Sequence, residues 1–402
     1  MTANPQRTIV ALDLKSKHSR DVSNHGEQSL SLSIPSEISS LEHETFDGVV
    51  IDNILGEFVD PLEILSLLSG LLRPGGWIVA TIPNIGQHSV ITSLLQGEWH
   101  TRQKGLLEAR QLRFFTMASL LKLLLDAGYA PEIVHTVATS DHSKWLQAIQ
   151  PLASIVGTAP ERLEYSVNAS HFIVRAQLLP RPSVNQNSNK LTFSVCVSRE
   201  EVLHANLLAS PDLQLDRSHT ILLGTAATSA AAIHNQALER APTDWVICLH
   251  QDVYLPKNWI TQFLQRLYEA EAALGKLSVV GVYGIAGAHR CSDRAGHVLD
   301  RSKLRHERTQ LPCLVHSLDE LLIAVRRDSG LRFDQSLGWH LYGTDICLEA
   351  QRRGLRAAAI DSLCYHNSHS VGLPIAFYQS EYYLAHKWPE CLPLVTSCKI
   401  IG

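Results

Sequence analysis

The chain has 402 residues, about 2.7 times a typical ~150-residue domain, which excludes a single core and makes two domains the first expectation. Hydrophobic residues at 45% and charged residues at 18% exclude disordered, collagen-like and coiled-coil classes. A formal charge of -4, from 35 basic and 39 acidic residues, gives no field to hold the chain on nucleic acid or an anionic membrane, so any phosphate must be met locally.

Residues 1–7 are polar and carry no signal-like apolar region. The apolar stretch at 62–72 contains Glu63, Ser66 and Gly70 and falls short of the roughly 20 residues a bilayer span needs. A cytoplasmic protein without a transmembrane segment is expected. Residues 8–14 and 46–52 read as buried strands. Residues 61–72 have helical apolar spacing, closed by Arg73-Pro74-Gly75-Gly76 before a strand at 77–82, and 117–127 form a second amphipathic helix closed by Gly128. Residues 177–192, with two prolines, three asparagines and two serines, read as an exposed linker between domains at 1–176 and 193–402. Beyond it come strands at 193–197, 219–223 and 244–249 and a helix at 229–241. Both halves therefore read as α/β, each a mostly parallel sheet flanked by helices. The eight cysteines all lie beyond residue 190 with no C-x-x-C pair, as expected of buried thiols rather than a zinc or redox motif.

In the first half, Phe46-Asp47-Gly48-Val49-Val50, Asp60-Pro61, Leu71-Leu72-Arg73-Pro74-Gly75-Gly76, Ile82-Pro83-Asn84 and Leu112-Arg113-Phe114-Phe115-Thr116 follow in order. Over residues 8–135 this resembles the class I S-adenosylmethionine-dependent methyltransferases. The resemblance implies a Rossmann-like sheet, with Asp13 and Asp52 as the acids that S-adenosylmethionine (SAM) would meet. Cofactor binding in that fold uses a leading strand and a Gly-rich turn, where the backbone can approach the ligand. This chain starts at what reads as the second strand, with no G-x-G before Asp13. It also has Leu55-Gly56-Glu57 and Gln111 where relatives carry Leu-Glu-His and a histidine. The expectation is a truncated methyltransferase-like domain kept for packing or partner binding, unless a misassigned start codon hides its front. The lost strand predicts apolar sheet surface covered by the second domain, a homo-oligomer or another partner.

The second half carries His250-Gln251-Asp252-Val253, then Val325-Arg326-Arg327-Asp328 and Leu331-Arg332-Phe333-Asp334. These are followed by Trp339-His340-Leu341-Tyr342-Gly343-Thr344-Asp345 and Tyr365-His366-Asn367-Ser368-His369. Over residues 193–372 the ordered set resembles the GT-A glycosyltransferases of the family 2 type, in the branch whose metal motif reads His-Gln-Asp-Val. The resemblance implies a nucleotide-sugar donor and Mn2+ or Mg2+ to neutralise the departing diphosphate. Asp252 and His366 are the expected metal ligands, with His250, Gln251, Asn235 and Asp319 toward the nucleotide sugar. Read from the residues alone, Asp252 could instead cap the turn at Pro256, Asp319 could cap the strand at 321–325, and Asn235 could be a plain helix residue. Asp345 is the expected base: an inverting transfer needs a group that takes the acceptor hydroxyl proton, and Asp345 opens a helix with Thr344 as N-cap. A helix dipole favours an acid there without any catalytic role. Trp339 and His340 are expected to meet the acceptor, or Trp339 anchors the core. The histidine pairs 366/369 and 289/297 have no zinc spacing with cysteines.

The expected function is metal-dependent, inverting transfer of a sugar to a glycan, such as a growing surface polysaccharide or O-antigen-type chain. The alternatives are a bifunctional enzyme that also methylates the glycan and a non-catalytic binding protein in glycan assembly. Donor sugar, nucleotide and acceptor stay open.

Overall fold

The computed structural model describes residues 9–12, 31–32, 46–138, 143–180, 190–225, 228–287, 293–369 and 372–402, and the chain divides into two units, Met1–Arg181 and Pro182–Gly402. Residues 181–189 of the expected linker, Asp13 and His289 lie outside the described residues. The ends of that expected linker are strand: residues 177 and 178 close one strand, and residue 192 opens the next.

The first unit holds β1 (Ile9–Leu12), β2 (Ser31–Leu32), β3 (Phe46–Asp52), β4 (Leu72–Pro83), β5 (Tyr129–Ala138) and β6 (Ala169–Leu178), in the sheet order β2-β1-β3-β4-β6-β5. The first four run parallel, and β6 and β5 are antiparallel. Helix α1 (Pro61–Leu71) starts where its chemistry dictates: Asp60 accepts from the Leu62 and Glu63 N–H groups, and Pro61 occupies the first turn. Its buried Ile64, Leu65, Leu68 and Leu71 recur at helical spacing. Helix α2 (Met117–Asp126) opens on a capping box between Thr116 and Ser119.

Two expectations are corrected here. The Pro-Gly-Gly segment does not precede the strand but lies inside β4, as a register shift with Gly75 at φ 77. Where a missing leading strand would leave a gap in the sheet, β1 pairs directly with β3, Ile9 opposite Gly48 and Leu12 opposite Ile51.

The second unit holds β7 (Thr192–Cys196), β8 (Thr220–Gly224), β9 (Trp245–His250), β10 (Val253–Tyr254), β11 (Val279–Gly281) and β12 (Tyr283–Ala286), then β13 (Arg294–Asp300), β14 (Lys303–His306), β15 (Cys313–Leu318), β16 (Leu322–Arg326), β17 (Ala357–Ala359) and β18 (Tyr365–His366). They form one twelve-stranded sheet, β10-β18-β13-β12-β15-β17-β11-β16-β9-β7-β8, with β14 paired to β13. The parallel expectation holds for β8-β7-β9 and gives way to mainly antiparallel pairing beyond β9.

Alternate residues of the central strands enter separate apolar clusters, as a sheet covered on both faces requires. Val246, Cys248, Ile323 and Val325 pack with helices α3 (Ala230–Arg240) and α5 (Tyr342–Arg352). Trp245, Ile247, Leu249 and Ala324 pack with α4 (Trp259–Leu274). Helix α6 (Ile375–Lys387) adds Phe377 and Leu384 to the first cluster. Among the described residues no helix is long and apolar enough to cross a membrane.

Candidate functional site

The site forms where β7 and β9 end. His250 closes β9, and Gln251 and Asp252 turn the chain into β10. That short strand pairs antiparallel with β18, placing Val253 opposite His366, and the Asn367 N–H donates to the Asp252 carbonyl at 2.9 Å. On its other side β18 runs parallel to β13, with Asp300 opposite His366. Register alone therefore gathers two histidines and two acids from three distant segments.

Donor atoms of His250, Asp252 and His366 lie within 4.8 Å of one another. His366 Nε2 is 3.5 Å and His250 Nδ1 4.0 Å from Asp252 Oδ1, and the two imidazole centroids are 5.6 Å apart. Asp252 Oδ1 is buried without a hydrogen-bond partner. Burial would raise its pKa, but the facing histidines more than offset this and hold the carboxyl well below the usual range. Burial opposes charge on His366 too; Asp252 and Asp300 overcome it and lift the imidazole to about 10. Asp300 Oδ1 lies 3.1 Å from His366 Nδ1 and so fixes which ring nitrogen faces Asp252, the arrangement that orients metal-ligating histidines. A buried carboxylate oxygen between two imidazoles fits a borderline divalent cation that accepts mixed nitrogen and oxygen ligands.

Beside this cluster is a cleft of about 390 Å³. His250, Gln251 and Asp252 line one part, Cys196, Val197 and Ser198 follow from the end of β7, and Ala230, Trp339, His340 and Tyr342 complete it. Ala230 is the first residue of α3, whose cap is Ser229, so a helix N-terminus meets the cleft. Trp339 is 41% exposed and is no core anchor. His340 is half-buried, and burial together with His250 keeps its imidazole below the usual range.

The remaining expected site residues are placed differently. Gln251 accepts from the Ser198 and Arg199 N–H groups at 3.0 Å and donates to Ser198 Oγ at 2.8 Å. It thus shapes the cleft wall and has little left to offer a nucleotide. Asn235 is corrected outright: buried in α3, it donates to the Phe333 carbonyl and accepts from the Phe333 N–H, both at 2.9 Å. Asn235→Ala is expected to lower stability by roughly 2–4 kcal/mol, since it strands two buried main-chain groups, and to leave donor affinity per folded molecule unchanged; denaturant melts and donor titration check both. Asp319 accepts from the Leu321 N–H at 3.1 Å, capping its strand, and does not line the cleft. Asp52 is exposed at the end of β3, in the other unit.

Asp345 is not brought into the cleft. Its side chain is 2% exposed, with Trp388 Nε1 donating to Oδ1 at 2.8 Å and Lys387 Nζ at 2.7 Å. Burial raises its carboxyl above the usual value against the pull of Lys387 and Trp388. Thr344 is not the N-cap expected. Helix α5 begins earlier, after Leu341 at φ 64, and Glu320 Oε1 accepts from the Gly343 N–H at 3.1 Å, while Thr344 Oγ1 pairs with Ser317 Oγ at 2.8 Å. Sequence reasoning missed Asp300, Ser198, Tyr342 and Glu320. Only the strand-end position of Asp300 carried any local signal.

Residues 192–375 match the model of a glycosyltransferase-like family. A curated protein of Fuscovulum blasticum, the ATP synthase subunits region ORF 6, is 32% identical over 142 residues, covering 34% of this chain and 57% of its own length. The chain therefore spans little more than half of that relative. Similar solved structures include a SAM-dependent methyltransferase of Thermotoga maritima, titled a possible histamine N-methyltransferase, at 14% identity and TM-score 0.29, covering 42% of this chain and 81% of that one. A SAM-dependent methyltransferase of Archaeoglobus fulgidus is similar at 13% identity and TM-score 0.29, covering 43% and 86%. The cleft, its acid and its histidines all fall inside the residues of the second unit that match the glycosyltransferase-like family model.

Proposed function

We propose that this domain transfers a sugar from a nucleotide-sugar donor to a hydroxyl of a glycan acceptor, with inversion and with Mn2+ or Mg2+ as cofactor. The observation that carries the reading is Asp252, whose buried Oδ1 sits between His250 and His366 at the wall of the cleft. A divalent cation held there would supply positive charge to offset the negative charge developing on the leaving diphosphate. Asp252 and His366 hold that position, Asp300 orients His366, and the N-terminus of α3 at Ala230 offers main-chain N–H groups to phosphate oxygens. Trp339 presents an exposed ring on which an acceptor sugar can lie, beside His340.

Asp345 lies outside the cleft lining and is 2% exposed, so in this proposal it takes the proton of the attacking hydroxyl only if its side chain is freed toward the cleft. Burial raises its carboxyl above the usual value against the pull of Lys387 and Trp388, the direction that strengthens a base. Taking the proton requires Lys387 to withdraw, because the ammonium now occupies the carboxylate.

With Mn2+ present, at least one nucleotide sugar of a donor panel is expected to be turned over, read as nucleoside diphosphate release, and chelation should abolish the signal. A panel in which no donor is bound or turned over would favour a non-catalytic glycan-assembly protein.

A further inference from the structure

A second group of chemistry-bearing side chains lies in the same unit, outside the cleft lining, on the hairpin of β13 and β14. His297 and His306 stand directly opposite each other in the antiparallel register, a spacing at which side chains on one face touch. Their rings are 4.3 Å apart, centroid to centroid, and only 21° from parallel. His297 is 4% exposed, and its Nδ1 lies 2.9 Å from Asp361 Oδ1.

An ionised carboxylate can only accept, so the Nδ1–H donates to Asp361, and in the neutral form of the ring Nε2 is the nitrogen that offers a lone pair. Asp361 is ionised at neutral pH: burial opposes this, but the adjacent His297 more than offsets it. Yet His297 Nε2 is buried and has no partner. A buried acceptor left unmade is unfavourable unless a ligand takes it. An imidazole backed by a carboxylate, with its other nitrogen unpartnered, is how proteins prepare a histidine for a metal ion. His306, exposed and directly opposite in the register, is the second imidazole at hand. Two nitrogens with no oxygen cage suit Zn2+, Ni2+ or Cu2+ and disfavour Mg2+ and Ca2+.

We infer that His297 and His306 form a second metal site, for a borderline divalent transition-metal ion, with Asp361 as the positioning residue and water completing the shell. It is independent of the sugar-transfer reading and shares no ligand with the cluster around Asp252.

The test is calorimetric titration of Zn2+ into the full chain carrying His366→Ala, which disables the cleft cluster. One event of unit stoichiometry is expected, and adding His306→Ala should remove it. His306 is exposed, so that exchange leaves the fold intact. Asp361→Asn keeps both rings and is expected to weaken Zn2+ by about 10–100-fold. In the otherwise unaltered chain, Zn2+ should raise the melting temperature by a component that His306→Ala abolishes, while Mn2+-supported nucleotide-sugar turnover stays unchanged. No Zn2+ event in the His366→Ala chain, or the same stoichiometry and affinity after His306→Ala, overturns the assignment.

Discussion

Replacing Asp252 by asparagine is expected to cut metal-dependent sugar transfer by about 10²–10⁴-fold. A metal's charge stabilisation of a departing phosphate supplies several kcal/mol, and each ~1.4 kcal/mol is tenfold in rate. Asparagine keeps the size and can keep the turn, so the loss reports the charge. The electrostatics point the same way: the histidines hold the carboxyl far below its usual range, so it is an anion at any working pH, and the amide offers no anion to a cation. His366→Ala should lose activity comparably. Asp300→Asn, which only loosens the ring orientation at 3.1 Å, should cost about 10–100-fold in metal affinity and be partly rescued by excess Mn2+. Asp252→Asn should not be rescued. Full turnover in Asp252→Asn, with chelation still inhibitory, would mean that the cation binds elsewhere.

What the sequence showed of this site depended on how local each cause was. Helix α1 was legible to within a residue because Asp60, Pro61 and the spacing of Ile64, Leu65, Leu68 and Leu71 are all local signals. Asp252 was legible for a similar reason: it sits just past a buried strand, where α/β folds place ligands. Asp300 was not, because its role exists only through the pairing of β13 with β18, some 66 residues apart in sequence. Asn235 shows the opposite failure. Its helix was placed correctly, but a polar side chain has several ways to satisfy itself, and here Phe333 lies 98 residues away. The start of α5 was misplaced for the same cause, since its cap comes from Glu320 on another segment. In the first unit the closure of β1 onto β3 was not legible, because only backbone pairing determines it.

Asp345→Asn is expected to lower kcat by about 10²–10⁴-fold, the usual contribution of a positioned general base, with the donor KM little changed. The amide can keep the Trp388 bond at Oδ1 but cannot take a proton. Lys387 makes a sharper test, because it is the contact that stands between Asp345 and its proposed work. Its ammonium bridges Asp345 and Asp334 at 2.7 Å each and pulls the Asp345 carboxyl down against burial, while Asp334 pushes it up. In Lys387→Met the pull is gone and the push remains, so the carboxyl must titrate at higher pH. A base works only when deprotonated; raising its pKa therefore moves the acid limb of the pH–rate profile to higher pH, and activity falls away earlier on acidification. A Lys387→Met profile unchanged from the parent would separate Asp345 from the chemistry. Asp345→Asn with an undiminished rate and a lowered melting temperature would go further, assigning the carboxylate to the tie between α5 and the end of α6 alone. The two variants thus divide a base held in reserve from an anchor, and Lys387 decides between them by the direction in which one limb moves.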